Sequence, residues 1–166
     1  MQKLHFTIQI QAPREKVWDT MLQDATYREW AKEFNAGSRY EGSWNEGSEI
    51  KFVGSDEDGH EYGGMYAKIK ENRLHEFISI EYLGLIGLDG TIDTTSDEVK
   101  KWTPAFENYT FKEIAGAESG GNLDGSAEAT SGTELSVDVD TNDEYKEMFE
   151  TMWPKALQAL KVLAEK

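Results

Sequence analysis

The sequence predicts an α+β domain in which a curved antiparallel sheet of about six to seven strands wraps around one long C-terminal helix. Three observations predict it. Apolar and polar residues alternate at the start of the chain and again through its middle, the period of half-buried strands. Short turns separate those runs, as an antiparallel meander requires. A helical apolar stripe then runs from about Asp143 to the end. It is the element with enough apolar surface to cover the sheet's buried face.

The elements follow in order. Leu4, Phe6, Ile8 and Ile10 form one face of a first strand. Pro13 suits the first position of a helix, where its missing N–H costs nothing, and Val17, Trp18, Met21 and Leu22 give that helix an apolar stripe. Tyr27, Trp30, Ala31 and Phe34 predict a second short helix, stopped near Asn35-Ala36-Gly37 by a left-handed glycine cap. Strands are expected over 39–44 and 49–53, joined by a turn at Asn45-Glu46-Gly47. A turn at 55–59 leads into a longer strand over 62–70, with Met65, Ala67 and Ile69 on one face. Glu71-Asn72-Arg73 is expected to turn the chain into a strand over 74–82, with Ile78, Ile80 and Tyr82 on one side. Residues 84–103 break the rhythm and read as an inserted loop or partial helix. A strand resumes over 105–114. Residues 116–132 hold five glycines and almost nothing apolar, and are expected to form a flexible loop. Thr133 to Asp140 alternates through Leu135, Val137 and Val139. Thr141 or Asn142 then caps the last helix, with Asp143 and Glu144 at its positive end. Its stripe is Tyr145, Met148, Phe149, Met152, Ala156, Leu160 and Leu163, with Pro154 expected to kink it.

Composition narrows the function classes. The chain has 166 residues, room for one domain over 1–166. Its 17 basic against 32 acidic side chains give a net charge of −15. That field repels nucleic acid and anionic membrane surfaces. Without cysteine there are no disulfides, thiolate metal sites or cysteine nucleophile. The opening residues lack the apolar run of a signal peptide, and no segment approaches the roughly 18 apolar residues of a membrane span. A soluble, cytoplasmic domain, a monomer or weak homodimer, is the expectation.

The last helix is rich in methionine and aromatics: Tyr145, Met148, Phe149, Met152 and Trp153. Such side chains line adaptable pockets as readily as they fill cores. From the sheet, Phe52, Met65, Ile80, Tyr82, Tyr109 and Phe111 are expected to face the same interior. The hydroxyls of Tyr82 and Tyr109 need partners there. Trp30, Phe34 and Trp102 lie next to loops, as walls or mouth of a hollow.

The motifs that carry a family resemblance span the chain. They are Ile10-Gln11-Ala12-Pro13-Arg14-Glu15-Lys16-Val17-Trp18-Asp19 followed by Tyr27-Arg28-Glu29-Trp30, then Gly42-Ser43-Trp44-Asn45-Glu46-Gly47 and Gly64-Met65-Tyr66-Ala67-Lys68-Ile69, then the segments 77–84 and 102–111. In this order they resemble the START-like (SRPBCC) superfamily with its helix-grip, Bet v 1-like fold. More narrowly they resemble the family related to the C-terminal domain of the Hsp90 ATPase activator. The resemblance implies a cavity between the concave sheet and the long helix for a lipid-like or polycyclic aromatic molecule. Its mouth would be framed by 27–37 and the 84–103 insertion. The fold hosts many activities, so it does not fix one.

Chemistry has few carriers. His5 and His75 fall on strand faces opposite the apolar ones, and His60 follows an acidic turn; no pair has metal-ligand spacing. Asp56-Glu57-Asp58-Gly59 lacks the alternating ligands of a calcium loop. Asp93, Asp97 and Glu98 are explained by helix capping at Ser96, and Gly63-Gly64 by a bulge in the sheet. Glu81 points away from the Ile80/Tyr82 face, whereas Glu107 shares the parity of Tyr109 and Phe111 and turns inward. No nucleophile–base pair, metal site or cofactor is expected. Three functions remain: a binding module for a hydrophobic small molecule, an interaction module regulating a chaperone ATPase, and a cyclase- or hydrolase-type enzyme using Glu107.

Overall fold

The computed structural model describes residues 1–55, 61–115 and 131–166. Eight strands form one antiparallel sheet: β1 (Gln2–Ile10), β2 (Arg39–Gly42), β3 (Glu49–Ser55), β4 (Glu61–Arg73), β5 (Phe77–Ile86), β6 (Ile92–Asp93), β7 (Ala105–Ala115) and β8 (Ser131–Thr141). Four helices accompany them: α1 (Arg14–Leu22), α2 (Asp24–Ala31), α3 (Asp97–Lys100) and α4 (Asp143–Ala164). The spatial order is β1-β8-β7-β5-β4-β3-β2, with β6 on the end of β5. First and last strands pair along their whole length, from Gln2 opposite Thr141 to Ile10 opposite Thr133. This α+β arrangement, an open meander extended at one edge by the N-terminal strand and gripping α4, is the expected one.

The sheet's inner face follows the alternation. Ile50, Ala67, Ile69, Ile78, Ile80, Tyr109, Phe111, Leu135 and Val137 are all buried on it. α4 lies against β1, α1 and α2 and buries Trp153, Ala156, Leu157, Leu160 and Ala164 at three- and four-residue spacing. Each large apolar side chain so removed from water contributes about 1.5–3 kcal/mol before entropy is counted. The expected stripe therefore starts later than its sequence pattern. Tyr145 and Met148 are 47% and 39% exposed, so the first two turns of α4 are not core. Helical period tells which side is apolar, not where along the rod its partner surface begins. The helix continues through Pro154, which lies on its exposed side. Asn142 is the N-cap, its side chain accepting from the Tyr145 N–H at 3.2 Å.

Several boundaries differ from expectation. α2 ends at Ala31, leaving Phe34 beyond it. Gly37 is not left-handed; the Asn35 side chain accepts its N–H at 2.9 Å and closes the chain as an Asx turn. β2 stops at Gly42, with φ 118°, so Trp44 leaves the strand. β4 runs on to Arg73, tied by Asn72 Nδ2 donating to the Trp44 carbonyl at 2.8 Å. The turn falls at 73–76 instead, with His75 at φ 63°. His75 is thus a half-buried turn residue with its ring edge on Trp18, not an exposed strand residue. The expected insertion is partly sheet: β5 extends to Ile86, pairs with β6, and α3 follows with Ser96 Oγ accepting from Val99 N–H at 3.2 Å. Of the turn expected over 55–59, Ser55 ends β3 and residues 56–59 lie outside the described residues, as do His60 and residues 116–130 of the expected loop, while Ser131 and Gly132 belong to β8. Among the described residues no helix is long and apolar enough to cross a membrane.

The glycine pair does mark a bulge. Val53 pairs with Gly64 and Gly54 with Tyr62, leaving Gly63 as the extra residue. Strands approach so closely here that a Cβ on Gly63 would stand 1.6 Å from the Ile86 carbonyl oxygen, and one on Gly64 1.9 Å from that of Phe52. Backbone atoms cannot give way as side-chain tips do. Gly64→Ala is expected to cost at least about 2 kcal/mol in urea unfolding. A variant as stable as wild type would show that β3 and β4 are not in this register.

Candidate functional site

Among the described residues the inner face carries one buried acid. Glu107 on β7 is flanked across the sheet by Ile80 on β5 and Val139 on β8, both buried aliphatics. It is 8% exposed. Its Oε2 accepts from Tyr109 Oη at 2.5 Å and from Tyr82 Oη at 3.2 Å. Among the described residues no basic side chain pairs with it. Strand geometry makes this cluster. Tyr109 lies two residues along β7 on the same face, and Tyr82 is diagonal to Glu107 across the β5–β7 ladder.

Burial among aliphatic and aromatic groups pushes the Glu107 carboxyl up to about 7, and the two tyrosine hydroxyls hold it down against that. The same burial, with the acid's charge nearby, drives Tyr82, Tyr109 and Tyr27 far above the ordinary tyrosine range. Near neutral pH the site switches between a protonated acid and a carboxylate, while the tyrosines stay neutral donors.

Aromatic rings frame this acid. On one side run Trp30, Tyr27, Phe52 and Tyr82, with successive centroids 5.0, 6.3 and 5.8 Å apart. On the other, Trp153 of α4 meets Tyr109 at 6.1 Å, Trp30 at 6.0 Å and Phe34 at 5.0 Å. Trp30 is anchored by its indole N–H donating to the Met21 carbonyl at 3.1 Å. The indole N–H of Trp153 is buried and meets no acceptor among the described residues. An unpaired buried donor costs about 1–3 kcal/mol, so this wall holds a polar atom that no described residue satisfies.

The structure gathers some expected residues and disperses others. Trp30, Phe34, Phe52, Tyr82, Glu107, Tyr109 and Trp153 belong to one connected group. Met65 is half-buried opposite Phe52, and Ile80 is buried opposite Glu107. Phe149 and Met152 are half-buried on the α4 side. Phe111 lies elsewhere, 5.1 Å from Trp18 of α1. Met148 is exposed, and Trp102, half-buried after α3, joins none of these ring pairs. Two open clefts, of about 420 and about 430 Å³, lie outside the Glu107 cluster. Sequence reading missed Tyr27, Tyr40 and Trp44. Their signal is aromatic density over 27–52, spread across a helix and two strands where no single period exposes it.

Around α3, Asp93 Oδ1 accepts from the backbone N–H groups of Ser96 and Thr95 at 3.0 and 3.1 Å, which lowers its pKa. His5, exposed on β1, meets Asp138 at 2.6 Å and Thr7 at 2.9 Å. Among the described residues no three acidic or histidine side chains are placed to hold a metal ion.

No family model and no curated protein matches the chain. Solved structures do. Protein NE0264 from Nitrosomonas europaea is 11% identical, with a TM-score of 0.66 over 97% of this chain and 92% of its own. Protein CV1439 from Chromobacterium violaceum is 14% identical, with a TM-score of 0.64 over 100% and 99%. CalU16 from Micromonospora echinospora is 13% identical, with a TM-score of 0.61 over 98% and 75%. Identities this low establish the fold, and it is the helix-grip fold.

The raised Glu107 pKa has a thermodynamic signature. Between its ordinary value of 4.5 and about 7, the folded state holds a proton that the unfolded state has lost. Stability is therefore greatest below the lower value, falls as pH rises, and stays reduced above the upper one. The full loss is roughly 3 kcal/mol. In Glu107→Gln this contribution vanishes. Urea unfolding of the two proteins at about pH 5 and about pH 8 is expected to show wild type losing about 2–3 kcal/mol relative to the variant. A difference independent of pH would mean that Glu107 is solvated.

Proposed function

We propose that this protein is a START-like binding module, akin to the family of the Hsp90 ATPase activator's C-terminal domain, that holds a hydrophobic small molecule between its sheet and α4. The observation that carries the reading is the Glu107–Tyr82–Tyr109 cluster set into an aromatic frame. A solid core gains nothing from an acid without a cationic partner. A site for a flat apolar molecule with a polar end gains orientation from it. The Trp153 indole N–H, without a partner among the described residues, supports the same reading, as does the row of half-buried rather than fully buried Phe34, Phe52, Tyr82, Phe149 and Met152. A ligand burying a few hundred Å² of apolar surface gains about 5–8 kcal/mol gross. After ordering costs this leaves about micromolar affinity.

A screen of sterols, fatty acids, flavonoids and polyketides by tryptophan indole and methionine methyl NMR tests the reading. At least one class is expected to saturate, moving the Trp153 and Met152 signals, with weaker binding in Tyr82→Phe. Saturating concentrations of all four classes that leave those signals in place would overturn it.

A second reading is a cyclase- or hydrolase-type enzyme. It is favoured by a buried carboxyl that titrates near 7, where an acid can both give and take a proton. With a ligand in hand, Glu107→Gln separates the two. A catalyst loses turnover while keeping its ligand, whereas a carrier shows no turnover to lose.

A further inference from the structure

At the end of the domain where α1 passes into α2, an open cleft of about 430 Å³ lies between the helices and the turns of the β2–β4 meander. Glu107, Tyr82 and Tyr109 do not line it, although Tyr40 and Trp44 back onto Tyr27 and Phe52 of their aromatic frame. Its apolar walls include Trp18, Tyr40, Trp44 and Leu74, and its acidic residues are Asp19 and Asp24; among the described residues no lysine, arginine or histidine lines it. We propose that this cleft is a binding site for a small organic cation, an alkyl- or arylammonium whose charge sits between the rings and Asp19.

The walls are already fixed in place. Tyr40 Oη and Trp44 Nε1 both donate to the Leu22 carbonyl at the end of α1, at 2.6 and 3.0 Å. This pins the two rings into a corner, with centroids 5.2 Å apart and planes at 70°. The Trp44 backbone is held in turn by Asn72 Nδ2. A preformed aromatic corner offers a negative π face to a cation without reordering its side chains.

The charge pattern points the same way. Asp19 lies in the last turn of α1, at the negative end of the helix dipole, and that turn contains no basic residue. An acid is unfavourable there, and a cation is favoured. Asp24 already takes one: Arg28 Nε reaches both of its carboxylate oxygens, at 3.1 and 3.2 Å. Asp19 makes no ion pair among the described residues. Leu74, at the rim, is 68% exposed and offers apolar surface for the non-polar part of the guest. The chain's charge of −15 adds long-range attraction for a cation and repels an anion.

The test is titration of the full chain with benzyltrimethylammonium, benzyl alcohol and benzenesulfonate, followed by the indole N–H resonances of Trp18 and Trp44. The cation is expected to move both indoles saturably, and the neutral and anionic rings to move neither at the same concentration. Asp19 is exposed, so Asp19→Asn is expected to fold normally and to weaken the cation about three- to tenfold. Trp44→Leu is expected to abolish binding; if it does not fold, Asp19→Asn decides. Equal shifts with benzyl alcohol, or cation affinity unchanged in Asp19→Asn, would overturn the proposal. Neither outcome bears on the ligand between sheet and α4, which is read from Trp153 and Met152.

Discussion

One carboxyl group on the concave side of the sheet organises what surrounds it. Glu107 projects from β7 between Ile80 and Val139, away from water and from any cation among the described residues. Such a group is tolerated only if it is neutral or well hydrogen-bonded. Burial answers to the first by pushing its pKa up to about 7, which favours the neutral acid below that pH, and two tyrosine hydroxyls reaching one oxygen answer to the second. Those hydroxyls fix the orientation of Tyr82 and Tyr109. Tyr82 in turn meets Phe52 and through it Tyr27, while Tyr109 meets Trp153 of α4. The acid thus links the meander to the helix through oriented aromatic rings.

The fold supplies the surface on which this is possible. An open, curved sheet extended by pairing of its N-terminal strand with its last strand leaves one concave face for α4, and α4 covers it chiefly with the residues from Trp153 onward. The earlier turns of α4 remain open, as do the half-buried rings beside them. The net charge of −15 gives the molecule a negative mean field, and the aromatic corner at the end of α1 combines that field with a preformed wall.

Much of this was legible in the residues. Period-two runs such as Leu4-Phe6-Ile8-Ile10 and Leu135-Val137-Val139 have one register that buries them, so strands β1 and β8 and their inner faces follow directly. The same parity placed Glu107 inside and Glu81 outside. Turn positions were less legible. Asn72 reads as a turn residue, yet its side chain bonds a distant carbonyl and carries the strand onward. Gly37 reads as a cap, yet Asn35 closes that chain reversal. Tertiary partners decide such cases, and local pattern does not contain them. For the site, Tyr82 and Tyr109 were visible as polar-tipped rings needing partners. Tyr27 was visible only as part of a helical stripe, because its role depends on β2 and β3 folding back over α2. Met148 and Phe111 matched the apolar pattern equally well, and chain geometry carried them away from the acid.

The most direct measurement is the titration of the Glu107 side-chain carboxyl itself, followed by its ¹³C chemical shift in protein labelled at glutamate. A desolvated acid under the aromatic frame titrates with a midpoint near 7, and the midpoint rises further in Tyr109→Phe because a hydrogen bond that stabilises the carboxylate is gone. A midpoint near the ordinary 4.5, unchanged by the tyrosine substitution, would place Glu107 in water and contradict the buried acid on which the site is built.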